Sequence, residues 1–195
     1  MSNAFTTIIE KQGGRIVGPW RSPQQMLASQ EYDGHTSIHD DDTAKALGFQ
    51  GGTIEGPTHF SQFSPLGAHL WGGAWFETGC ISAHYRAAAF AGEAVQASAA
   101  IVAAGARQTA ITMAKADGTE VLAGTMSVGA DASPTALETR LRSLQPLVDP
   151  VILRDVALGM KSPRIAVIMA PDQNMGAYYP FSLAEKLAAI TEPSP

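Results

Sequence analysis

The residues able to do chemistry gather between Tyr32 and Leu70. A loop there holds Asp33, His35 and His39; a glycine-rich turn follows with Glu55 beside Gly56; His59 and His69 come next. His39 stands just ahead of an acid-capped segment, and Gly56 opens a second, more apolar one, so a pocket belongs between the two. Backbone N–H groups at Gly56, Thr58 and His59 would point out of the second segment, ready for an oxygen that carries negative charge.

Turn chemistry defines the elements that must hold these groups. Asp40, Asp41 and Asp42 precede Thr43–Leu47, and negative charge at a helix start is favoured by the free N–H groups and the dipole there. Gly48 suits the position that ends such a helix, so a short helix is expected over 40–47. Gly51-Gly52 and Gly56-Pro57 bracket Thr-Ile-Glu, and Pro57 fits a first helical turn. Phe60, Phe63, Gly67 and Leu70 then recur at helical spacing and form one apolar face. Pro65 lacks the N–H that would bond the Ser61 carbonyl and should kink or split this helix.

Ile38-His39-x-Asp41, Ala44, Gly48-Phe49, Ile54-x-Gly56, Tyr85-Arg86 and Phe90-Ala-Gly-Glu93 together resemble the MaoC-like hot-dog domain of (R)-specific enoyl-CoA hydratases and related acyl dehydratases. The resemblance spans roughly residues 15–130. It implies an α+β hot-dog fold, an antiparallel sheet wrapped around a central helix. It also implies that an Asp/His pair activates water for addition across a double bond conjugated to a thioester, while a backbone N–H mapping onto Gly56 holds the carbonyl oxygen. His39 falls on the family histidine. The family aspartate falls on Gly34, and Thr36 and Ser37 replace an Asn-Pro pair, so the half of the motif that carries the carboxylate is degraded. Asp33, one residue earlier, is the substitute expected to act with His39, and His35 is a further neighbour.

Composition narrows the function classes. The chain has 195 residues, 45% of them hydrophobic, which suits one domain with an appended region. A net charge of −5 lacks the basic footprint of a nucleic-acid binder. No apolar run is long enough to span a bilayer and the start has no signal-peptide pattern, so a cytoplasmic protein without membrane contact is expected. Cys80 is the sole cysteine, which rules out an intramolecular disulfide. No histidine pair shows metal-ligand spacing with a carboxylate in reach, so neither metal nor cofactor is expected.

In chain order, Met1–Ala4 is polar and expected to fray, Thr6–Glu10 and Arg15–Val17 suggest a hairpin about Gly13-Gly14, and Ser22-Pro23-Gln24-Gln25 suggests a helix over 23–30. Trp71-Gly-Gly-Ala-Trp75 reads as a turn, Phe76–Ala87 as a strand, and Gly92–Ala103 as a further extended stretch. Arg107–Ala116 and Thr119–Val128 flank Asp117-Gly118, a strong hairpin signal. The hot-dog domain is expected over 1–130 and a C-terminal arm over 131–195. Leu137, Leu141 and Leu144 line one face of a helix in that arm, Arg164–Met169 resembles a strand, and Ser182-x-x-Glu185 forms a second capping pattern. The arm's apolar faces should pack on the domain or on a partner chain.

Each residue also has an ordinary structural reading. Asp41 stabilises a helix start, Glu55 is an exposed carboxylate at a helix entrance, and His59 and His69 are helix histidines with satisfied partners. Cys80 is a packed small side chain, and Trp71 and Trp75 belong to the core or an interface. Tyr85 and Arg86 either meet a phosphate or simply occupy the sheet. Three functions follow: a hydratase or dehydratase using His39 and Asp33 with Gly56 as oxyanion donor; an acyl-thioester-binding subunit without catalysis, possible because Gly34 replaces the aspartate; and a thioesterase using Glu55. Acyl-CoA or acyl-carrier thioesters are the expected partners. The resemblance further implies a homodimer or higher oligomer, or pairing with a catalytic subunit of the same family.

Overall fold

The computed structural model describes residues 5–24, 37–130, 133–148, 155–164, 166, 170–174, 182 and 184–185. Its framework is one six-stranded antiparallel sheet built from β1 (Glu10–Gln12), β2 (Arg15–Val17), β3 (Gly79–Tyr85), β4 (Val95–Ala100), β5 (Gln108–Lys115) and β6 (Glu120–Val128). The strands lie in the order β1-β2-β4-β5-β6-β3. Between β2 and β3 the chain inserts four short helices: α1 (Asp41–Ala46), α2 (Gly56–Ser61), α3 (Ser64–Trp71) and α4 (Gly73–Thr78). A fifth, α5 (Ala136–Leu141), follows the sheet.

The middle helices supply the core. Phe63 and Leu66 are fully buried and join Val95, Ile111, Met113, Leu122 and Met126 in one apolar cluster with the sheet. Burial of such side chains is the main force that closes the sheet around α2 and α3. Pro65 splits the central helix as expected. α2 ends at Ser61, Gln62 and Phe63 bond three residues back, and α3 restarts with the proline in its first turn, where a missing N–H is harmless.

Local signals placed α1 and the β5–β6 hairpin well, because capping and turn residues act within a few positions. Asp40 is the α1 N-cap and accepts the Thr43 N–H at 2.8 Å. Asp117 accepts the Thr119 N–H inside the hairpin turn. Other expectations need correction. The first hairpin is shifted, with β1 beginning only at Glu10. Ser22, Pro23 and Gln24 are not helical, and the rest of the expected 23–30 helix lies outside the described residues. Most importantly, Phe76–Thr78 is helical and the strand begins at Gly79. Trp75 is the reason: its ring stacks on Trp71 at 6.1 Å and lies against Gly67, so the Gly-Gly step packs a second helix onto the first.

In the C-terminal arm, α5 has a complete capping box between Thr135 and Glu138. Its first turn is tied to the sheet, since Leu137 N–H donates to Ser82 Oγ at 2.7 Å and Ala136 N–H to Thr125 Oγ1 at 3.1 Å. Leu137, Leu141 and Leu144 remain more than half exposed. The second capping box also forms, with Ser182 and Glu185 bonded reciprocally. Met1–Ala4 and most of the expected 164–169 strand lie outside the described residues. No described helix is long and apolar enough to cross a membrane.

Candidate active site

A cavity of about 420 Å³ opens where the His39 loop, the start of α2 and the end of β3 meet. Ile38, Phe49, Ile54, Ala87, Ala88 and Ala89 give it apolar walls. His39, Thr53, Gly56, His59, Tyr85 and Arg86 supply its polar surface. Four of those six, His39, Gly56, Tyr85 and Arg86, are expected at the pocket from sequence, whereas Thr53 is expected only as part of the turn and His59 only as a helix histidine.

Backbone pairing fixes the His39 loop. Thr53 N–H donates to the Ile38 carbonyl at 2.9 Å, and Ile54 N–H donates to the Ala89 carbonyl at 2.8 Å, so the loop, the turn and the segment after β3 are laced side by side. A Cβ at Gly52 would collide with the His39 carbonyl oxygen, and only glycine allows that approach. Asp41 secures the same turn from the other side, accepting the Gly52 N–H at 2.8 Å and pairing with Lys45 at 3.2 Å. The Gly52 N–H and then Lys45 hold the Asp41 carboxyl below its ordinary range. Beyond the cavity, Glu93 accepts the Phe90 N–H at 2.9 Å and pairs with Lys115 at 2.7 Å, which shapes the wall that follows Arg86. The Phe90-Ala-Gly-Glu93 motif is therefore a structural clasp.

His39 is held in one tautomer. Its Nδ1 lies 2.7 Å from the Thr53 carbonyl oxygen, which can only accept, so Nδ1 carries the proton. Nε2 is left with a free lone pair, the form a general base requires. Gly56 is the first residue of α2, and its N–H has no intrahelical acceptor. The outward N–H expected at Thr58 is instead taken up by the Glu55 carbonyl at 3.1 Å. Tyr85 Oη stands 2.6 Å from where a Gly56 Cβ would sit, so the glycine is needed for the tyrosine to reach the helix start. Burial pushes the Tyr85 phenol up to about 12, which keeps it a proton donor at neutral pH. Arg86, at the exposed rim, pairs with Glu120 at 2.8 Å.

Several side chains differ from their ordinary readings. Glu55 is only 4% exposed and does not line the cavity. Cys80 is exposed on the edge strand β3, while His69 is exposed on α3. His59, expected to be a satisfied core histidine, lines the cavity at 2% exposure, and its Nδ1 has no hydrogen-bond partner among the described residues. Desolvation lowers its pKa to about 4, so the imidazole is neutral at physiological pH. Asp33, Gly34 and His35 lie outside the described residues.

A helical segment inserted after the second strand, packed against the face of an antiparallel sheet that curls around it, settles the architecture. The chain has a hot-dog fold. No protein-family model matches the hot-dog sequence, and no curated protein matches it. Among solved structures it is similar to an (R)-hydratase from A. caviae involved in PHA biosynthesis, at 15% identity and a TM-score of 0.41, over 62% of this chain and 98% of that one. It is also similar to a hypothetical thioesterase with coenzyme A from Streptococcus pneumoniae, at 18% identity and a TM-score of 0.37, over 67% and 91% of the two chains. A Streptococcus mutans protein bound to acetyl CoA aligns at 13% identity and a TM-score of 0.36, over 66% and 93%.

Proposed function

We propose that this protein is a MaoC-like enoyl-thioester hydratase or dehydratase, in which His39 moves the proton. The observation that carries this reading is the His39 Nδ1 bond to the Thr53 carbonyl, which leaves Nε2 basic in an apolar-walled cavity. Water held at Nε2 loses a proton to it as the oxygen bonds to C3 of a 2-enoyl thioester. The C2–C3 π electrons move toward the carbonyl, and negative charge collects on its oxygen. The Gly56 N–H, at the start of α2, is suited to hold that oxygen. The imidazolium then returns its proton to C2, so one residue serves as base and acid in turn. Asp33, as a loop carboxylate, would assist His39; the proton balance closes without it.

Exposed Ile38, Phe49 and Tyr85 form an apolar rim suited to the acyl portion, and Arg86 beside them suits the phosphates of a coenzyme A carrier. Glu55, the carboxylate of the thioesterase alternative, is absent from the cavity lining, which favours the hydratase reading over it. The binding-subunit alternative keeps its support from Gly34. Product analysis separates all three. Crotonyl-CoA incubated in ¹⁸O-labelled water should give 3-hydroxybutyryl-CoA with the label on C3. Free coenzyme A thiol with labelled carboxylate would mean hydrolysis, and unchanged but bound crotonyl-CoA would mean a binding subunit.

A further inference from the structure

His59 is buried, lines the cavity and has a ring nitrogen, Nδ1, without a hydrogen-bond partner among the described residues, a combination the mechanism above leaves unused. Tyr85 is the neighbouring polar side chain. The two rings stand 6.1 Å apart at 50°, and Phe60 braces the tyrosine edge-on at 5.7 Å. Both rings line the same cavity, and the Tyr85 hydroxyl is held beside Gly56.

We propose that His59 and Tyr85 form a side-chain oxyanion site, the imidazole N–H and the phenol O–H donating together to the carbonyl oxygen of a bound acyl thioester. This rests on the acyl-thioester reading of the cavity. A neutral imidazole suits the role better than a cation would. It donates a hydrogen bond as negative charge builds on the substrate oxygen, and its own burial spares it from competition with water. Burial keeps His59 neutral and Tyr85 protonated, so both are donors at neutral pH without any proton leaving the protein. His39 handles the proton, and the His59–Tyr85 pair joins the Gly56 N–H in holding the charge.

The test uses butyryl-CoA labelled with ¹³C at the thioester carbonyl, which has no double bond to hydrate, and difference infrared spectroscopy of its complex. Binding to the wild-type protein should move the carbonyl band to lower frequency. Tyr85→Phe, which removes only the hydroxyl, and His59→Leu should each reduce that shift while butyryl-CoA still binds. His59→Gln, which keeps an N–H donor, should restore part of it. With crotonyl-CoA, Tyr85→Phe should lower kcat by about 10²-fold with little change in KM. A wild-type complex whose carbonyl band does not move, or one whose shift survives both Tyr85→Phe and His59→Leu, overturns the side-chain site and leaves the acyl-thioester reading standing. Failure of the wild-type protein to bind butyryl-CoA at all overturns both.

Discussion

A carbonyl oxygen only accepts hydrogen bonds, and that constraint decides the tautomer of His39: Nδ1 carries the proton it donates to Thr53, and Nε2 keeps the lone pair. His39 stands out in the sequence because it falls on the histidine of the motif that the chain resembles, and it lines the cavity. His59 does not, because its status depends on what surrounds it, including a tyrosine 26 positions later in the chain, and no local pattern reports an unpaired buried nitrogen. Its burial also predicts a pH effect. With a folded pKa of about 4 against an ordinary 6.5, the unfolded chain binds a proton between those values that the folded chain does not. Stability contributed this way is complete above pH ~6.5 and falls as pH drops toward 4, by up to ~3 kcal/mol. Urea unfolding of the wild-type protein and His59→Gln at pH 7 and pH 4.5 measures it: the wild type should lose more stability than the variant, and equal losses would show that His59 titrates normally in the folded state.

At the level of elements, the signals that act over a few residues were legible. Asp40 capping α1, Pro65 splitting the central helix and Asp117-Gly118 turning β5 into β6 are each read from neighbours in the chain. The failures share a physical cause. Trp71-Gly-Gly-Ala-Trp75 has the composition of a turn, yet α4 forms because Trp75 finds Gly67 and Trp71 to pack against, a tertiary effect that overrides propensity. Gly52 shows the same dependence on a distant contact. Gly52→Ala should force its Cβ into the His39 carbonyl, lowering stability by about 1–3 kcal/mol and displacing the His39 loop. Thermal unfolding together with crotonyl-CoA turnover checks this, and a variant with unchanged melting temperature and kcat would show that the turn has room to spare. Asp41→Asn, which keeps an acceptor for the Gly52 N–H but loses the charge paired with Lys45, should be far milder.

For the whole molecule, the sheet covers the apolar side of the α2–α3 segment. Phe63 and Leu66, both fully buried, are where the two layers meet. Phe63→Ala should cost about 3–5 kcal/mol, measured by denaturant unfolding, and a loss under 1 kcal/mol would show that the core does not depend on this contact. At its margins the sheet leaves β1 and β3 without a second strand neighbour among the described residues. An open edge of the length of β3, seven residues, favours pairing with another strand. We expect two copies to join there, which light scattering would report as twice the mass of one chain; a monomer at micromolar concentration would contradict it.

The central claim is that His39 is the proton-transfer group of an enoyl-thioester hydratase, and one comparison tests it most directly. Loss of enoyl-thioester absorbance is followed with 2-enoyl-CoA substrates of increasing chain length for the wild-type protein, His39→Ala and Asp33→Ala. The account predicts hydration by the wild type on at least one chain length, a fall of 10²-fold or more, by order of magnitude, in His39→Ala, and a smaller fall in Asp33→Ala. Hydration that survives His39→Ala, or no turnover by folded wild-type protein on any chain length, would contradict it.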